Sequence, residues 1–403
     1  MLSDFNKNGD ICKESHIYGI TALNRVFNFD INYQNLYTKK VISGLKSLRN
    51  EIKNNPKPNK TNGKAQIMFF SSNKSVLGID IGTTNIKLVQ ISNDGNKHIL
   101  ETYGMVDAAF EIDERKESNI QKTVSVLKML IEKSGVTTKR VMASLPASVV
   151  FTTIIDLPKM KDSELQSAVE FEAKKYVPLP LEEVTLSWTS APEEDPEKNR
   201  VLITAVPNNI LKGYLRIFEL SKLQPQALEI ESLSLMRALV GGDGSNILMV
   251  DIGAKNTHLD IIEHGNLVLT RNVPIGGETI TNKIAASLNI TPARAEQFKK
   301  EFGLNQASVI PEMVKPILSN IRQEVAQVQS IYHARGKTFD KIILVGGGAN
   351  LPGFMEYLSD LGPQIVKGDP LSQISYNPQL EPLLRQYSTS LAVSIGLALR
   401  TSK

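Results

Sequence analysis

Apolar and polar positions follow the same order in two distant stretches of the chain. Residues 76–81 form a short β-branched apolar run, residues 82–85 form a polar turn, and a second apolar run begins at residue 86. The same order returns 171 residues later, within residues 246–263. Apolar runs that flank a polar turn predict β-hairpins. Since a third apolar strand and then a helix follow each hairpin, we predict a duplicated α/β module.

Apolar residues at helical spacing predict the helices that complete the two modules. Gly135 and Gly303 stand where helix ends are expected, and Pro292 suits the first turn of a helix. The predicted helices cover residues 118–133, 208–222, 233–240, 280–288, 292–302, 311–334, 354–361 and 391–399. The further predicted strands cover residues 98–108, 140–145, 227–230, 268–273 and 341–345.

Residues 147–206 have a different pattern. Two predicted strands, at 149–157 and 201–206, flank a helix that runs from Lys161 to Tyr176. Within this helix Ser163 and Gln166 have the spacing of a capping box, and an acidic turn at 191–196 is typical of a hairpin loop. We therefore predict a small α+β unit that is inserted into the first module.

The front of the chain differs in charge from the rest. Residues 1–67 carry 11 of the 46 Lys and Arg residues but only 5 of the 42 Asp and Glu residues, so the body is close to balance. Rich in Asn and Lys, this front segment is typical of a poorly ordered basic extension or linker. Alternatively, residues 37–52 form a basic amphipathic helix that contacts an anionic membrane or a partner. The balanced body argues against a nucleic-acid-binding surface.

Few side chains suit a disulfide or a dedicated metal site. Cys12 is the single cysteine, which excludes an intrachain disulfide. The histidines are His16, His98, His258, His264 and His333. Because they lack ligand spacing, we expect no zinc or iron site. No run of about 18 apolar residues occurs and the start lacks a signal-peptide core, so we expect a cytoplasmic protein.

Each predicted hairpin turn carries groups that bind phosphate. Asp80 precedes a glycine, two threonines and an asparagine, whose N–H groups and hydroxyls can hold phosphate oxygens. Asp251 precedes the matching turn, and Lys87 adds a positive charge. Three glycines at 346–348 allow the backbone to approach a flat ligand. We therefore predict a cleft with phosphates between the two turns and Mg²⁺ held through water near Asp80 and Asp251.

These loops resemble the nucleotide loops of the actin and sugar kinase superfamily. Residues 80–87 resemble its first phosphate loop, residues 251–257 its second, and residues 346–353 its adenosine loop. Glu231 and the helix at 391–399 fall at the two connectors between the lobes. The resemblance implies a two-lobed α/β fold of the actin-like ATPase type that binds ATP with Mg²⁺.

The resemblance also implies roles for individual residues. Glu231 is the candidate catalytic residue that orients the attacking water, although a carboxylate at a helix N-terminus is equally explained by the helix dipole. Glu296 and Lys299 match a Glu-x-x-Lys helix that contacts the adenosine. The implied nucleotide-binding residues are Asp80, Gly82, Thr83, Thr84, Asn85, Lys87, Asp251, Gly253, Ala254, Asn256, Thr257, Glu296, Lys299, Gly346, Gly347, Gly348, Ala349 and Asn350. We expect ATP turnover to be weak at most.

Within the superfamily, the chain resembles the PilM family of type IV pilus assembly. The resemblance is strongest at residues 157–160, 171–178, 274–278 and 345–354. This family has an FtsA-like plan, in which subdomain 1C is inserted into the first lobe, and a helical subdomain 2B. The resemblance implies an ATP-binding scaffold, peripheral to the inner membrane, that joins an assembly platform through its partners.

The implied partner is the N-terminal cytoplasmic segment of a PilN-like membrane protein, held in a groove between subdomains 1A and 1C. Phe171, Tyr176 and Pro178 are the candidate lining residues of this groove; alternatively, Phe171 and Tyr176 belong to the core of the insertion. Other platform proteins and further copies of the chain are additional candidate partners, and no nucleic acid is expected.

Two other functions remain open. A phosphotransferase such as a sugar kinase would use the same cleft, but it needs a carboxylate base beside the substrate hydroxyl, and no additional Asp stands out for that role. An FtsA-like division protein shares the fold. Such chains carry an amphipathic membrane helix after the second connector, whereas this sequence ends a few residues after it. We therefore favour the scaffold.

The resemblance also divides the chain into subdomains. The predicted ranges are 1–74 for the front extension, 75–146 and 207–245 for subdomain 1A, 147–206 for 1C, 246–281 and 336–403 for 2A, and 282–335 for 2B.

Overall fold

The predicted apolar runs form two mixed β-sheets, one in each lobe of a computed structural model. The structure describes residues 17–21, 75–94, 97–107, 115–191, 195–305, 309–362 and 364–400. Its elements are β1 (Ile17–Thr21), β2 (Val76–Ile81), β3 (Asn85–Asp94), β4 (Lys97–Asp107), α1 (Glu117–Ser134), β5 (Arg140–Leu145), β6 (Phe151–Pro158), α2 (Asp162–Tyr176), β7 (Val184–Ser190), β8 (Lys198–Pro207), α3 (Asn208–Leu220), β9 (Gln224–Ile230), α4 (Glu231–Leu239), β10 (Ile247–Ile252), β11 (Thr257–Glu263), β12 (Asn266–Val273), α5 (Gly277–Leu288), α6 (Pro292–Phe302), α7 (Ile310–Ala334), β13 (Lys341–Val345), α8 (Phe354–Leu358), β14 (Ile365–Lys367) and α9 (Glu381–Ala398).

Apart from the additional edge strand β1 in the first, the two sheets have the same topology. The first sheet has the order β1-β4-β3-β2-β5-β9, and the second has the order β12-β11-β10-β13-β14. In each sheet the central strand, β2 or β10, pairs antiparallel with the next strand in sequence and parallel with a later strand. The sheets therefore confirm the predicted duplication of one α/β module.

Irregularities of the two sheets also match. The ladder between β3 and β4 shifts register between Gln90 and Ile91, and the ladder between β11 and β12 shifts between Ile261 and Ile262. The two shifts are separated by the same number of residues as the two hairpins. Since a β-bulge changes the local twist and the direction of a strand, matching irregularities are a further sign that the two sheets arose by duplication.

A separate three-stranded sheet, β6-β8-β7, forms the core of the insertion with helix α2. Leu165, Val169 and Ala173 of α2 are buried against Ile155 and Val201 of the sheet. These helix positions are four residues apart, so they lie on one face. The sheet and helix confirm that the insertion is a small α+β unit.

Helices α4 and α9 pack against each other, and α9 also covers β2 and β3 of the first sheet. The approach is close because glycines stand at the contacts. A Cβ on Gly396 would lie 1.9 Å from the carbonyl oxygen of Ser234, and one on Gly78 would lie 2.1 Å from that of Ser394. Packing therefore requires small residues at both positions. Helix α9 as a whole is longer than the part of it that the sequence predicted.

Several predicted elements need correction. The final helix begins at Glu381 and not at Leu391, because Pro382 is well accommodated in its first turn. Helix α2 starts at Asp162, so its N-cap is Lys161 and not Ser163. The side chain of Lys161 makes no capping hydrogen bond. Gln166 instead donates a hydrogen bond to Glu170, one helical turn later, so the predicted capping box is wrong.

Three strands were not predicted. β14 adds to the second sheet, β7 pairs with β8 in the insertion, and β1 pairs antiparallel with β4 although it belongs to the front segment. All three are edge strands of their sheets. The predicted basic helix at 37–52 and the centre of the acidic turn, residues 192–194, lie outside the described residues.

The contact between α4 and α9 generates a stability prediction. Gly396→Ala should destabilise the chain by about 1–3 kcal/mol, because its Cβ must displace backbone atoms of α4. In an uncrowded helix the same change stabilises by about 1 kcal/mol, so the sign of the effect is diagnostic. Urea unfolding of the two proteins measures the difference in free energy.

Gly242→Ala is the matched control, because no described atom lies within 4 Å of the added Cβ. It should change the free energy of unfolding by less than about 0.5 kcal/mol. A stabilised Gly396→Ala protein would contradict the close packing of the two helices.

Candidate functional site

Both hairpin turns close in the same way. The N–H of Gly82 donates to the carbonyl of Asn85 at 2.9 Å, and the N–H of Gly253 donates to that of Asn256 at 2.9 Å. Thr83 and Thr84 in the first turn, and Ala254 in the second, are half-buried. The turns therefore leave backbone and hydroxyl groups partly accessible to a ligand.

Asp80 lies at the end of β2, and both of its carboxylate oxygens are hydrogen-bonded. Lys87 stands opposite it on β3 and donates to Oδ2 at 2.9 Å, while Ser144 donates to Oδ1 at 2.8 Å. The Asp80 residue is only 2% exposed. Burial alone would lower the pKa of Lys87, but the charge of Asp80, with smaller contributions from Glu231 and Asp251, raises it. Lys87 is therefore protonated and balances the charge of Asp80.

Glu231 and Asp251 lie near the pair formed by Asp80 and Lys87, and among the described residues neither has a positively charged side chain of its own. Burial, and then the charges of Asp80 and Asp251, raise the pKa of Glu231 well above its ordinary value. Burial raises the pKa of Asp251 to about 6, although Lys87 opposes this. Since these groups affect one another's pKa, the structure brings the first hairpin, the first connector and the second hairpin together at one site.

His258 occupies the position in the second hairpin that Lys87 has in the first. It pairs in register with Asp251, as Lys87 does with Asp80. Burial lowers the pKa of His258 to about 4, which a hydrogen bond with Asn272 only partly offsets. The imidazole is therefore neutral at physiological pH and adds no positive charge beside Asp251.

Glu296 and Lys299 tie helix α6 to the start of helix α5. Lys299 contacts Glu296 at 2.6 Å and donates to the carbonyl of Gly277 at 3.0 Å and to the hydroxyl of Thr281 at 2.9 Å. The N–H of Gly277 in turn donates to the carbonyl of Gly253 at 3.0 Å. This network links the predicted adenosine-contacting pair to the second hairpin turn. Thr257, on the far side of that turn, is buried and donates to the carbonyl of Ile275 at 2.7 Å.

Glycines allow the third loop to pack on the second hairpin. Gly346 has φ +83°, and a Cβ there would lie 2.3 Å from Oδ1 of Asp251. A Cβ on Gly348 would lie 2.2 Å from the side chain of Ile252, whereas Gly347 is exposed. Ala349 is half-buried, and the exposed Asn350 donates to Thr389 of α9 at 2.9 Å. This loop therefore contacts both Asp251 and the second connector.

Sequence reasoning missed three groups at this site. Ser144 bonds Asp80, the N–H of Ala147 donates to Glu231 at 3.3 Å, and His258 stands beside Asp251. Ser144 lies near the end of β5 and Ala147 just after it, and neither belongs to a motif, so the sequence contains no signal for them. His258 could have been found, because the repeat offset aligns it with Lys87.

The candidate groove residues are on the surface of the insertion. Phe171 is 64% exposed, Tyr176 is 48% exposed, and Pro178 is exposed. The alternative that Phe171 and Tyr176 belong to the core of the insertion is therefore wrong. Phe171 also lines a depression together with Ser167, Glu170, Lys174, Leu181 and Glu182.

One buried hydrogen bond joins the first connector to the second sheet. Ser232 of α4 donates to Oδ1 of Asp260 on β11 at 2.9 Å. Burial raises the pKa of Asp260 to about 7, although the nearby Thr270 hydroxyl and the hydrogen bond from Ser232 oppose the rise. The second carboxylate oxygen has no hydrogen-bond partner among the described residues. Asp260 is therefore a destabilising group when it is ionised.

The duplicated sheets, the matched turns and the glycine loop define an actin-like two-lobed protein with an inserted subdomain. More narrowly, the chain belongs to the family described as type IV pilus assembly protein PilM, whose family model matches residues 78–402. Family membership confirms the resemblance inferred from the sequence motifs.

Solved structures are similar to the chain over most of its length. A chain of a PilM-PilN type IV pilus biogenesis complex has a TM-score of 0.72 at 24% identity, covering 81% of this chain and 98% of that one. Ethanolamine utilization protein EutJ from Carboxydothermus hydrogenoformans has a TM-score of 0.53 at 18% identity, covering 86% and 91%. At these identities the structures support the fold.

A curated relative is a cell division protein. Cell division protein FtsA from Bacillus subtilis (strain 168) is 23% identical over 365 residues, covering 72% of this chain and 78% of that protein. Among the described helices of this chain, none is long and apolar enough to cross a membrane.

Asp260 generates a prediction about pH. Because its pKa is raised in the folded state from 3.8 to about 7, folding is favoured at low pH and the free energy of unfolding falls as pH rises through this range, by up to about 4 kcal/mol. Asp260→Asn should remove this part of the fall, so that the variant is more stable than the original chain at pH 8 and close to it at pH 4.

Urea unfolding at pH 4, 6 and 8 measures this difference. Glu164→Gln, at an exposed position of α2, is the control and should leave the pH profile almost unchanged. Parallel pH profiles for the Asp260→Asn protein and the original chain would contradict the raised pKa.

Proposed function

We propose that the chain is an ATP-binding scaffold of the inner-membrane platform that assembles type IV pili. The observation that carries this proposal is the convergence of two equivalent hairpin turns on one group of carboxylates, with Asp80 and Asp251 close enough to affect each other electrostatically. A site with this duplicated arrangement suits a ligand that carries several phosphates and a divalent cation.

The residues present fit Mg²⁺ and ATP. The turns at 82–85 and 253–256 offer N–H groups and hydroxyls to phosphate oxygens, and Lys87 adds a positive charge. Asp80 and Asp251 would hold hydrated Mg²⁺ through water, as carboxylates do for this ion. The glycine loop at 346–348 and the Glu296–Lys299 pair would contact the adenosine. Mg²⁺ would supply charge neutralisation for the phosphates.

Slow hydrolysis of ATP is consistent with the protonation state of Glu231. A residue that polarises water by accepting a proton must be ionised, but burial and neighbouring carboxylates raise the pKa of Glu231 well above its ordinary value. We therefore propose that ATP acts mainly by binding. Family membership supports this role over that of a sugar kinase.

A partner site on the insertion completes the proposed scaffold. Phe171, Tyr176 and Pro178 expose apolar surface at the C-terminal end of helix α2 and just after it. An apolar surface with charged neighbours such as Lys174 and Glu170 suits a short segment of a partner protein. The similar solved chain comes from a complex of PilM with PilN. The proposed partner is therefore the cytoplasmic segment of a PilN-like membrane protein, which would hold the chain at the inner membrane.

Nucleotide would act on this groove through the angle between the lobes. Asp80 belongs to the first lobe, which carries the insertion, and Asp251 belongs to the second. A ligand that contacts both turns favours the lobe arrangement in which both contacts are made. The groove would change with that arrangement.

ATP binding has a direct test. Asp80→Ala and Asp251→Ala should each lower the affinity for Mg²⁺-ATP at least tenfold, because the carboxylates that hold the hydrated cation are removed. Isothermal titration calorimetry measures the affinity. The corresponding Asn variants preserve shape and separate the loss of charge from a loss of fold.

Asp156→Asn is the control, since Asp156 is an exposed carboxylate of the insertion and should not alter ATP affinity. Undiminished affinity in either Ala variant would exclude the assigned cation site.

The partner site is tested with a peptide from the N-terminal segment of a PilN-like protein. Phe171→Ala should weaken peptide binding at least fivefold, because exposed aromatic residues contribute strongly to interfaces. Leu215→Ala is the control: Leu215 is also an exposed apolar residue on a helix, at 43%, but lies outside the insertion. Fluorescence anisotropy measures both. Equal effects of the two substitutions would exclude the Phe171 surface.

A further inference from the structure

Three potential metal ligands meet beside the second hairpin. Glu231, Asp251 and His258 each place one ligand atom within 4.8 Å of the other two. Three atoms at such separations lie within about 2.8 Å of a common point, and zinc bonds to nitrogen and carboxylate oxygen are about 2.0–2.2 Å long. Shifts of less than about 1 Å by each side chain would therefore bring all three onto one ion.

His258 has one ring nitrogen available to bind a ligand. His258 is 7% exposed, and its Nε2 atom has no hydrogen-bond partner in the described part of the chain. Its side chain also hydrogen-bonds Asn272, the residue opposite it on β12. Metal-bound histidines characteristically use one nitrogen for the ion and the other for such an orienting hydrogen bond. A buried nitrogen without a partner is costly, and a metal ion would satisfy it.

The charge of the site also favours a cation. Lys87 is bonded to Asp80, so this pair is neutral. Burial first and then neighbouring carboxylates raise the pKa of Glu231 and of Asp251, whereas Lys87, already paired with Asp80, lowers both. When ionised, these two carboxylates are left without a cation of their own, which a divalent ion would supply.

We propose that Glu231, Asp251 and His258 bind a divalent transition-metal ion directly, in the absence of nucleotide. This site differs from the proposed Mg²⁺ site, which uses Asp80 and Asp251 through water. An imidazole ligand suits Zn²⁺, Co²⁺ or Mn²⁺ better than Mg²⁺, which prefers oxygen ligands and retains its water. Glu231 is half-buried, which gives the ion a route from solvent, and three protein ligands leave a position for water.

The metal would join two parts of the molecule. Glu231 begins the first connector helix, whereas Asp251 and His258 belong to the central hairpin of the second lobe. An ion held by all three restrains the connector relative to that lobe. The site is therefore placed to stabilise one arrangement of the lobes before any nucleotide binds.

The test uses the full chain without a histidine tag, freed of metal with a chelator and kept free of nucleotide. Titration with Co²⁺ should show one ion bound per chain, with visible absorption bands of four- or five-coordinate cobalt. His258→Gln should lower Co²⁺ affinity at least tenfold. His333→Gln, on an exposed part of α7, is the matched control and should leave the affinity unchanged.

Two results would overturn the proposal: no stoichiometric binding of Co²⁺ to the unaltered chain, or equal affinity in the His258→Gln and His333→Gln proteins. If the His258 variant does not fold, electron spin echo spectroscopy of Mn²⁺ bound to the unaltered chain decides the question. A directly bound imidazole nitrogen is expected, and its absence would exclude the site. The absence of nucleotide makes the result independent of ATP binding.

Discussion

Ionised groups that are buried without balancing charge raise the free energy of a folded protein, and the cleft between the lobes gathers three carboxylates around one ammonium group. Asp80 is balanced by Lys87, whereas Glu231 and Asp251 are not. The surrounding backbone maintains this arrangement through two tight turns and a glycine loop. A cation bound beside these carboxylates would offset this cost, and its binding would then stabilise the folded chain.

Duplication explains the geometry of the site, and divergence between the copies explains its chemistry. Both hairpins place an aspartate opposite a nitrogen-bearing side chain. In the first copy that side chain is Lys87, which closes an ion pair; in the second it is His258, which is neutral and too deeply buried to compensate Asp251. The same backbone thus produces one satisfied carboxylate and one that can still bind a ligand.

Much of this structure could be predicted because the spacing of apolar residues and the positions of glycine and proline indicate the same helix and strand boundaries. Strands β5 and β13 have their predicted bounds, and Gly135 and Gly303 end helices as expected. The start of α9 could not be predicted in this way, because partners distant in sequence decide it. For the same reason motifs identified Asp80 and Asp251 but not Ser144, whose role depends only on where β5 ends in space.

Helix α9 touches β2 and α4 backbone to backbone at two glycines, Gly78 and Gly396. Contacts without side chains leave no room for the helix to turn about its own axis or to slide, since either motion drives Cβ atoms into carbonyl oxygens. Thr389 of the same helix accepts a hydrogen bond from Asn350 of the glycine loop, so this loop is attached to the helix. A substitution that displaces α9 is therefore expected to displace the glycine loop with it.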